Sequence, residues 1–286
     1  MVPRPKMLNF EKMTLKPIIL FKYGGNAMTD QKLKRQVLIN ICAIKEKGCH
    51  VVIVHGGGPF IEKILKEAHV ESEFIDGLRK TTSEAMEYVE MALKGRVNGN
   101  LVSMINAMGY KAVGLSGKDG QTVIAKKHIH LREENGEVQQ VDLGQVGDVD
   151  KVNPALIHLL LENDFIPVLT CLASDQNGLD YNINGDMFAG HLAGALKADQ
   201  YIILTDVDGL LIDKDDPASI LRIIPISGLI KLKNEHIIQG GMIPKAESCE
   251  VALKNGAGLA RIINGTKPEQ IPSIFEDQTV GTIIRK

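Results

Sequence analysis

The stretch 16-KPIILFKYGGNAM-28 decides the architecture. Its apolar run, Pro17–Phe21, is short, rich in isoleucine and lacks polar alternation, so it reads as a strand covered on both faces. Lys22 closes the run, and Gly24-Gly25 turn the chain toward a segment of helical spacing. The pattern returns at 50-HVVIVHGGGPFIEKI-64, where an apolar strand meets three glycines and Pro59 suits the first turn of a helix. Strand, glycine turn and helix in succession build a parallel sheet, in which the C-terminal ends of the strands share one edge. Both glycine loops are therefore expected to open into one crevice. Glycines let backbone N–H groups approach an anion closely, and a helix start adds about half a positive charge. A plain structural turn explains either loop equally well when it is taken alone.

Outward from these loops, "KAVGL", "FIPVLT", "QYIILTDV" and "LARIIN" are further buried strands. Helical spacing marks Asp30–Lys47, Pro59–Ala68, Ser83–Val97, Asn153–Glu162, Asp186–Lys197 and Ile243–Asn255. The order predicts an α/β fold with a mainly parallel central sheet. Two segments interrupt it, 126-KKHIHLREENGEVQQVDLGQVGDVDKV-152 and 206-DVDGLLIDKDDPASILRII-224, and turn residues between short β-prone runs predict peripheral hairpins there.

Bulk properties narrow the function. The chain has 286 residues, 44% hydrophobic and 24% charged, with 4% aromatic and no Trp, which fits a globular protein with a sizeable core. A formal net charge of −2 and a pI of about 6.5 give no global attraction to nucleic acid or to an anionic membrane, so anion binding must be local. Cys42, Cys49, Cys171 and Cys249 form no C-x-x-C pair and have no nearby histidine at zinc spacing, so they read as reduced structural thiols and no metal ligand set is expected. No apolar run approaches the roughly 18 residues of a membrane span, and the N-terminal "MVPRPKMLNFEKMTLK" lacks the apolar centre of a signal peptide. A cytoplasmic protein with a small anionic ligand is the expectation.

Known phosphate loops are excluded by spacing: G-x-x-x-x-G-K-[ST] is absent, "HGGGPF" does not supply G-x-G-x-x-G, and protein-kinase signatures are missing. Other motifs are ambiguous one by one. Arg79 in "FIDGLRKTT" is placed in a loop, where its fork could take a carboxylate bidentately, or it is a surface arginine. In "YNINGDMFAG", Asn182 stands four residues before Asp186, which is a capping or first-turn acid or a functional one. Lys245 in "GGMIPKAES" sits beside a second glycine pair, and Thr205, Asp206 and Asp208 end a buried strand where they could meet a ribose or adenine edge, a cation or nothing.

Taken in order, "KYGGNAM", "VIVHGGGPFI", "FIDGLRKTT", "VGLSGKDG", "VNPALI", "YNINGDMFAG", "LTDVDGLL" and "GGMIPK" resemble the amino-acid kinase family from about Lys16 to Ile284. "FIDGLR" with "HGGGP" is most similar to the branch that acts on N-acetyl-L-glutamate. The resemblance implies a three-layer αβα sandwich, with residues 1–188 binding the amino-acid substrate and mediating dimerisation and residues 189–286 binding ATP. It implies that Lys22 and Lys245 contact the transferred phosphoryl group and nucleotide phosphates, with Asp186 holding both lysines. Amides of Gly24, Gly25, Gly57 and Gly58 would cradle the γ-phosphoryl group, Arg79 and Asn182 the substrate α-carboxylate, while Thr205, Asp206, Gly209 and Met242 fall to the nucleotide. ATP, Mg2+, N-acetyl-L-glutamate and a homodimer or higher homo-oligomer are the implied ligands and assembly.

The residue types suit that chemistry. A γ-carboxylate of pKa about 4.3 is already ionised, so its attack on phosphorus needs no general base. What it needs is positive charge and alignment, because two anions must meet. Two places depart from the family pattern: 168-VLTCLASDQNG-178, and Gly185 where alanine is usual. The short segment before the first strand and Thr266 in "RIINGTKPEQ" lead us to expect weak or absent arginine feedback. The rival readings are a sister kinase for another acidic amino acid, such as carrier-bound α-aminoadipate, and a silent nucleotide-binding regulator.

Overall fold

A computed structural model describes residues 16–134, 136–213, 215–277 and 279–286. Nearly all of the N-terminal segment read above for a signal peptide lies outside the described residues. One sheet holds strands β1 (Ile18–Tyr23), β2 (His50–His55), β3 (Ala112–Ser116), β4 (Ile166–Thr170), β5 (Gln200–Thr205), β6 (Ile223–Pro225), β7 (Leu259–Asn264) and β8 (Thr282–Arg285). Their spatial order is β6-β8-β7-β5-β1-β2-β4-β3. Strand β8 runs antiparallel to β7 and parallel to β6, and the remaining neighbours pair in parallel. The expected mainly parallel sheet is thus present, and the chain divides along it. Strands from before residue 188 form one half and strands from after it the other, meeting where β1 pairs with β5.

Strand alternation makes the three layers. Ile19, Phe21 and Tyr23 of β1 pack on one face with α1 (Gln31–Ala43) and α4 (Gly99–Ala107), while Leu20 points to the other. That other face is covered by α2 (Gly58–Glu67), α3 (Ser83–Glu90), α5 (Ala155–Glu162), α6 (Gly185–Ala195), α7 (Ile226–Asn234) and α8 (Met242–Lys254). Because β1 and β2 are buried on both faces, they had to read as unbroken apolar runs. Tyr23 is fully buried and packs within this face.

Several boundaries differ from expectation. The segment expected as one helix over Asp30–Lys47 is α1 from Gln31 to Ala43 followed by a 3-10 turn, Ile44–Lys47, and Asp30 caps α1 by accepting from Leu33 N at 2.8 Å. The helix expected to end at Val97 instead loosens into a π-helical stretch, Met91–Asn98, and continues as α4. Arg79 is on a short strand, Leu78–Lys80, paired with Glu73–Ile75, and not in a loop; two short strands at a hairpin tip carry too little periodicity to read. Of the two expected peripheral hairpins, one forms at His130–Glu134 with Glu137–Val141, whereas the 206–224 segment has an isolated antiparallel bridge, Leu211 with Ile220, before Ile223 enters the main sheet. Four short strands within residues 123–183 close into a small ring beside the sheet. Among the described residues no helix is long and apolar enough to cross a membrane.

Candidate active site

Both glycine loops leave the same sheet edge, because Tyr23 and His55 are register partners at the ends of β1 and β2. Gly25 sits at φ +72°, the left-handed region that glycine adopts without strain. Gly57 is needed for a different reason: a Cβ there would stand 2.7 Å from Leu93 Cδ2. The Gly57 carbonyl accepts from Phe60 N at 2.9 Å and Ile61 N at 3.0 Å, starting α2. The N–H groups of Gly24, Gly25, Gly57 and Gly58 take no part in the turn and loop hydrogen bonds of the described residues.

The charged centre is built by α6 and α8. Asn184 caps α6, its Oδ1 accepting from Asp186 N at 2.9 Å and Met187 N at 3.2 Å. Asp186, one of the capping candidates in the sequence, is thereby released from the backbone. Its carboxylate lies 2.9 Å from Lys22 Nζ through Oδ1 and 3.2 Å from Lys245 Nζ through Oδ2. Asp186 is 5% exposed and Lys22 8%, so these charges have left bulk water. Burial alone would push the Asp186 carboxyl up, and the two ammonium groups outweigh it and hold the pKa below the usual carboxylate value. Two cations on one anion leave one positive charge in surplus, facing the crevice.

Lys245 reaches Asp186 because α8 lies unusually close on α6. A Cβ on Gly190 would meet the Ser248 carbonyl at 2.5 Å, and one on Gly194 would meet Asn255 Cβ at 2.5 Å. The glycines thus set the helix separation, and the separation sets the ion pair.

Two cavities meet at this centre, and a third extends one of them. The first, about 500 Å3, is lined by Lys22, Gly24, Gly25, Leu204, Thr205, Asp206, Val207, Gly241, Met242 and Lys245. A second, about 590 Å3 and largely apolar, continues from Val207 and Met242 past Gly209 and Leu210 to the His236–Gln239 segment. The third, about 250 Å3, shares Lys22, Gly24 and Gly25 with the first and is lined further by Gly57, Gly58, Phe74, Arg79, Cys171, Asn182 and Asp186. Every residue to which the family resemblance gave a role lines this trough. The wide arm can take a nucleotide, the narrow arm a small acid, and their junction carries the lysines.

Arg79 is 8% exposed and already engaged: Nη1 contacts Glu62 Oε2 at 2.8 Å and Ser72 Oγ, and the guanidinium stacks 4.4 Å from the Phe74 ring centre. Its remaining N–H groups are the ones open to an acid. Asn182 Nδ2 donates to Thr81 Oγ1 at 3.3 Å. Asp208, a candidate beside Thr205 and Asp206, is instead tied to Asn264 Nδ2 at 2.9 Å and Lys267 Nζ at 2.8 Å. Sequence reading missed the Asn184 cap, Glu62, Phe74 and the apolar cavity; of these only Asn184, just before the glycine that opens α6, carries a local signal. Among the described residues no group of three or more His, Cys, Asp or Glu could hold a metal ion. With both Asp186 oxygens beside lysines, any Mg2+ in this trough would have to be carried on nucleotide phosphates.

Comparison with known proteins follows the same line. The family model described as "Amino acid kinase family" matches residues 17–264. The acetylglutamate kinase of Methanocaldococcus jannaschii is 42% identical over 271 residues, covering 94% of this chain and 90% of the relative. That of Pelotomaculum thermopropionicum is 44% identical over 270 residues, covering 94% and 92%. The crystal structure of smu.665 from Streptococcus mutans UA159 is 31% identical, superposes with a TM-score of 0.73, and is covered over 98% of its length by 94% of this chain.

Proposed function

The chain belongs to the amino acid kinase family, and from that premise we propose that it transfers the γ-phosphoryl group of ATP to the γ-carboxylate of N-acetyl-L-glutamate. The product is an acyl phosphate of the kind used in arginine biosynthesis. The identity to acetylglutamate kinases supports the acid substrate. The observation that carries the reaction class is the Lys22–Asp186–Lys245 bridge at the junction of the nucleotide-sized and acid-sized cavities.

The roles follow from electrostatics. Residues 1–188 hold the acid: Arg79 and Asn182 bind its α-carboxylate at the narrow end, leaving the γ-carboxylate directed at the junction. Residues 189–286 supply most of the nucleotide arm, with Thr205, Asp206, Gly209 and Met242 lining it. The apolar extension around Leu210 and Ile238 suits a purine base. In the transition state charge spreads over three equatorial phosphoryl oxygens. Lys22, Lys245 and the amides of Gly24, Gly25, Gly57 and Gly58 meet those oxygens, and Asp186 keeps the two ammonium groups from swinging away. Mg2+, brought on ATP, supplies further charge neutralisation. No side chain has to remove a proton, since the nucleophile arrives ionised. The reading includes a homo-oligomer and a cytoplasmic setting, which sedimentation and fractionation test.

Hydroxylamine trapping tests the reaction. Protein, ATP, Mg2+ and N-acetyl-L-glutamate with hydroxylamine should give the coloured hydroxamate of the acyl phosphate. Product with another acidic amino acid and none with N-acetyl-L-glutamate would overturn the substrate assignment, and no product with any acid would favour the silent regulator.

A further inference from the structure

We infer that His55 is a positioning residue for phosphoryl transfer: its Nδ1–H, fixed by Asn98, turns the Gly56 carbonyl inward and so aims the Gly57 N–H into the crevice. The inference rests on the proposed role of the Gly57 and Gly58 amides.

His55 is fully buried at the end of β2, behind the glycine loop, and lines none of the three cavities. Its Nδ1 is 2.9 Å from the Gly56 carbonyl oxygen, and its Nε2 is 2.9 Å from Asn98 Nδ2. The tautomer follows by elimination. Asn98 Nδ2 also donates to the Val168 carbonyl at 2.9 Å, which can only accept, so the amide presents N–H groups and Nε2 must be the bare acceptor. The proton then sits on Nδ1, where the Gly56 carbonyl can only accept it. Burial keeps the ring neutral, holding its pKa near about 4.

Space has been cleared for this arrangement. A Cβ on Gly114 would lie 2.0 Å from Asn98 Oδ1, so glycine at that position of β3 lets the amide reach His55. The π-helical stretch ends at Asn98 itself, consistent with a backbone adjusted to deliver that side chain.

Peptide geometry carries the effect to the site. No peptide bond among the described residues is cis, and across a trans peptide the carbonyl and the following N–H point in opposite directions. The Gly56 carbonyl is drawn toward His55, so the Gly57 N–H points away from it. The Gly57 carbonyl is drawn into α2 by Phe60 and Ile61, so the Gly58 N–H is turned out as well. Gly56 N is itself tied to the Tyr23 carbonyl at 3.3 Å, which joins this loop to the one after β1. A loop of three glycines has no side chains to hold its shape, and these contacts replace them.

The test separates aiming from packing. The Nδ2 of an asparagine at position 55 stands near where the histidine Nδ1 stands, whereas the Nε2 of a glutamine stands near Nε2. His55→Asn should keep kcat within about threefold, and His55→Gln and Asn98→Leu should lose about tenfold or more in kcat, part of the 10²–10³ that loss of a transition-state donor costs, with both KM values shifted less than about threefold. Equal activity of His55→Asn and His55→Gln, or a loss confined to KM, overturns the inference. Should the variants fail to fold, imidazole 15N spectra of the wild-type protein decide it: a protonated Nδ1 and bare Nε2 support it, and the reverse tautomer overturns it. That spectrum does not depend on which acid is phosphorylated. A wild-type protein that makes no hydroxamate refutes the functional reading instead.

Discussion

At the residue scale, Lys22 and Gly185 show two ways in which a site can be legible. A lysine ending an apolar strand just before glycines is visible from local sequence, whereas its partner Asp186, 164 positions away, was reached only through the family resemblance. Lys22→Ala should lower kcat by about 10²–10³ with a smaller change in KM, since its charge is needed most when the phosphoryl group is in flight; an unchanged kcat in the hydroxamate assay would remove the role. Gly185 was legible as a departure, but its consequence was not. A methyl group there would sit 3.7 Å from Cys171 Sγ and Lys22 Cε and 3.8 Å from Gly56 Cα, all ordinary contacts. Gly185→Ala should therefore raise stability by about 0.4–1 kcal/mol through the unfolded chain, seen as a higher urea midpoint, and a lowered midpoint would show hidden strain. His55 adds a pH dependence of definite sign. Its folded pKa of about 4 lies below the ordinary 6.5, so the unfolded chain binds the proton more readily. The contribution is whole above pH 6.5 and is lost as pH falls from 6.5 toward 4, amounting to about 3 kcal/mol in all. Urea unfolding at pH 7.5 and pH 5 should show wild type losing more stability between the two than His55→Gln does; equal losses would mean the ring is not held neutral.

At the element scale, strands were legible and helix contacts were not. Strands β1 and β2 declare themselves because both faces are buried, so polar residues fall only toward their ends. The crossing of α6 on α8 depends on two glycines inside a segment that reads simply as helix. Glycine in a helix interior costs about 1 kcal/mol relative to alanine, and that cost makes sense only when the neighbouring helix is known. Gly190→Ala should destabilise the protein by about 1–3 kcal/mol, the usual range for overpacking, because the new methyl meets the Ser248 backbone at 2.5 Å. It should also reduce turnover, since any relief moves Lys245 from its 3.2 Å contact with Asp186. Full activity with a normal melting temperature would show that the ion pair does not depend on this crossing. The π-helical stretch escaped reading for a similar reason, since the contact it ends on, Asn98 with His55, lies 43 positions away in the chain.

At the scale of the whole molecule, the order of the chain maps onto the sheet in two blocks that share the β1–β5 seam, and the trough crosses that seam. This explains why the ordered set of motifs was far more informative than any member. Each glycine loop or lysine alone is compatible with a surface turn, but a parallel sheet places its C-terminal strand ends on one edge and so collects them. How the two blocks share work was implied by the resemblance and not by composition or spacing, since their packing is set by long-range contacts. If residues 1–188 hold the acid and residues 189–286 the nucleotide, the two ligands should stabilise the protein separately. A ligand at 100 times its Kd adds about 2.7 kcal/mol, which for a chain of this length raises Tm by roughly 5 °C. Arg79→Ala should abolish the shift produced by N-acetyl-L-glutamate and leave that of ATP intact. Lys22→Ala, at the junction, should weaken the nucleotide shift without removing the shift due to the acid, because Lys22 lines both cavities whereas Arg79 and Asn182, the proposed α-carboxylate ligands, line only the narrow one. Thermal denaturation of the two variants with each ligand reads the division directly, and an Arg79→Ala protein that loses both shifts would mean that the trough binds as one unit.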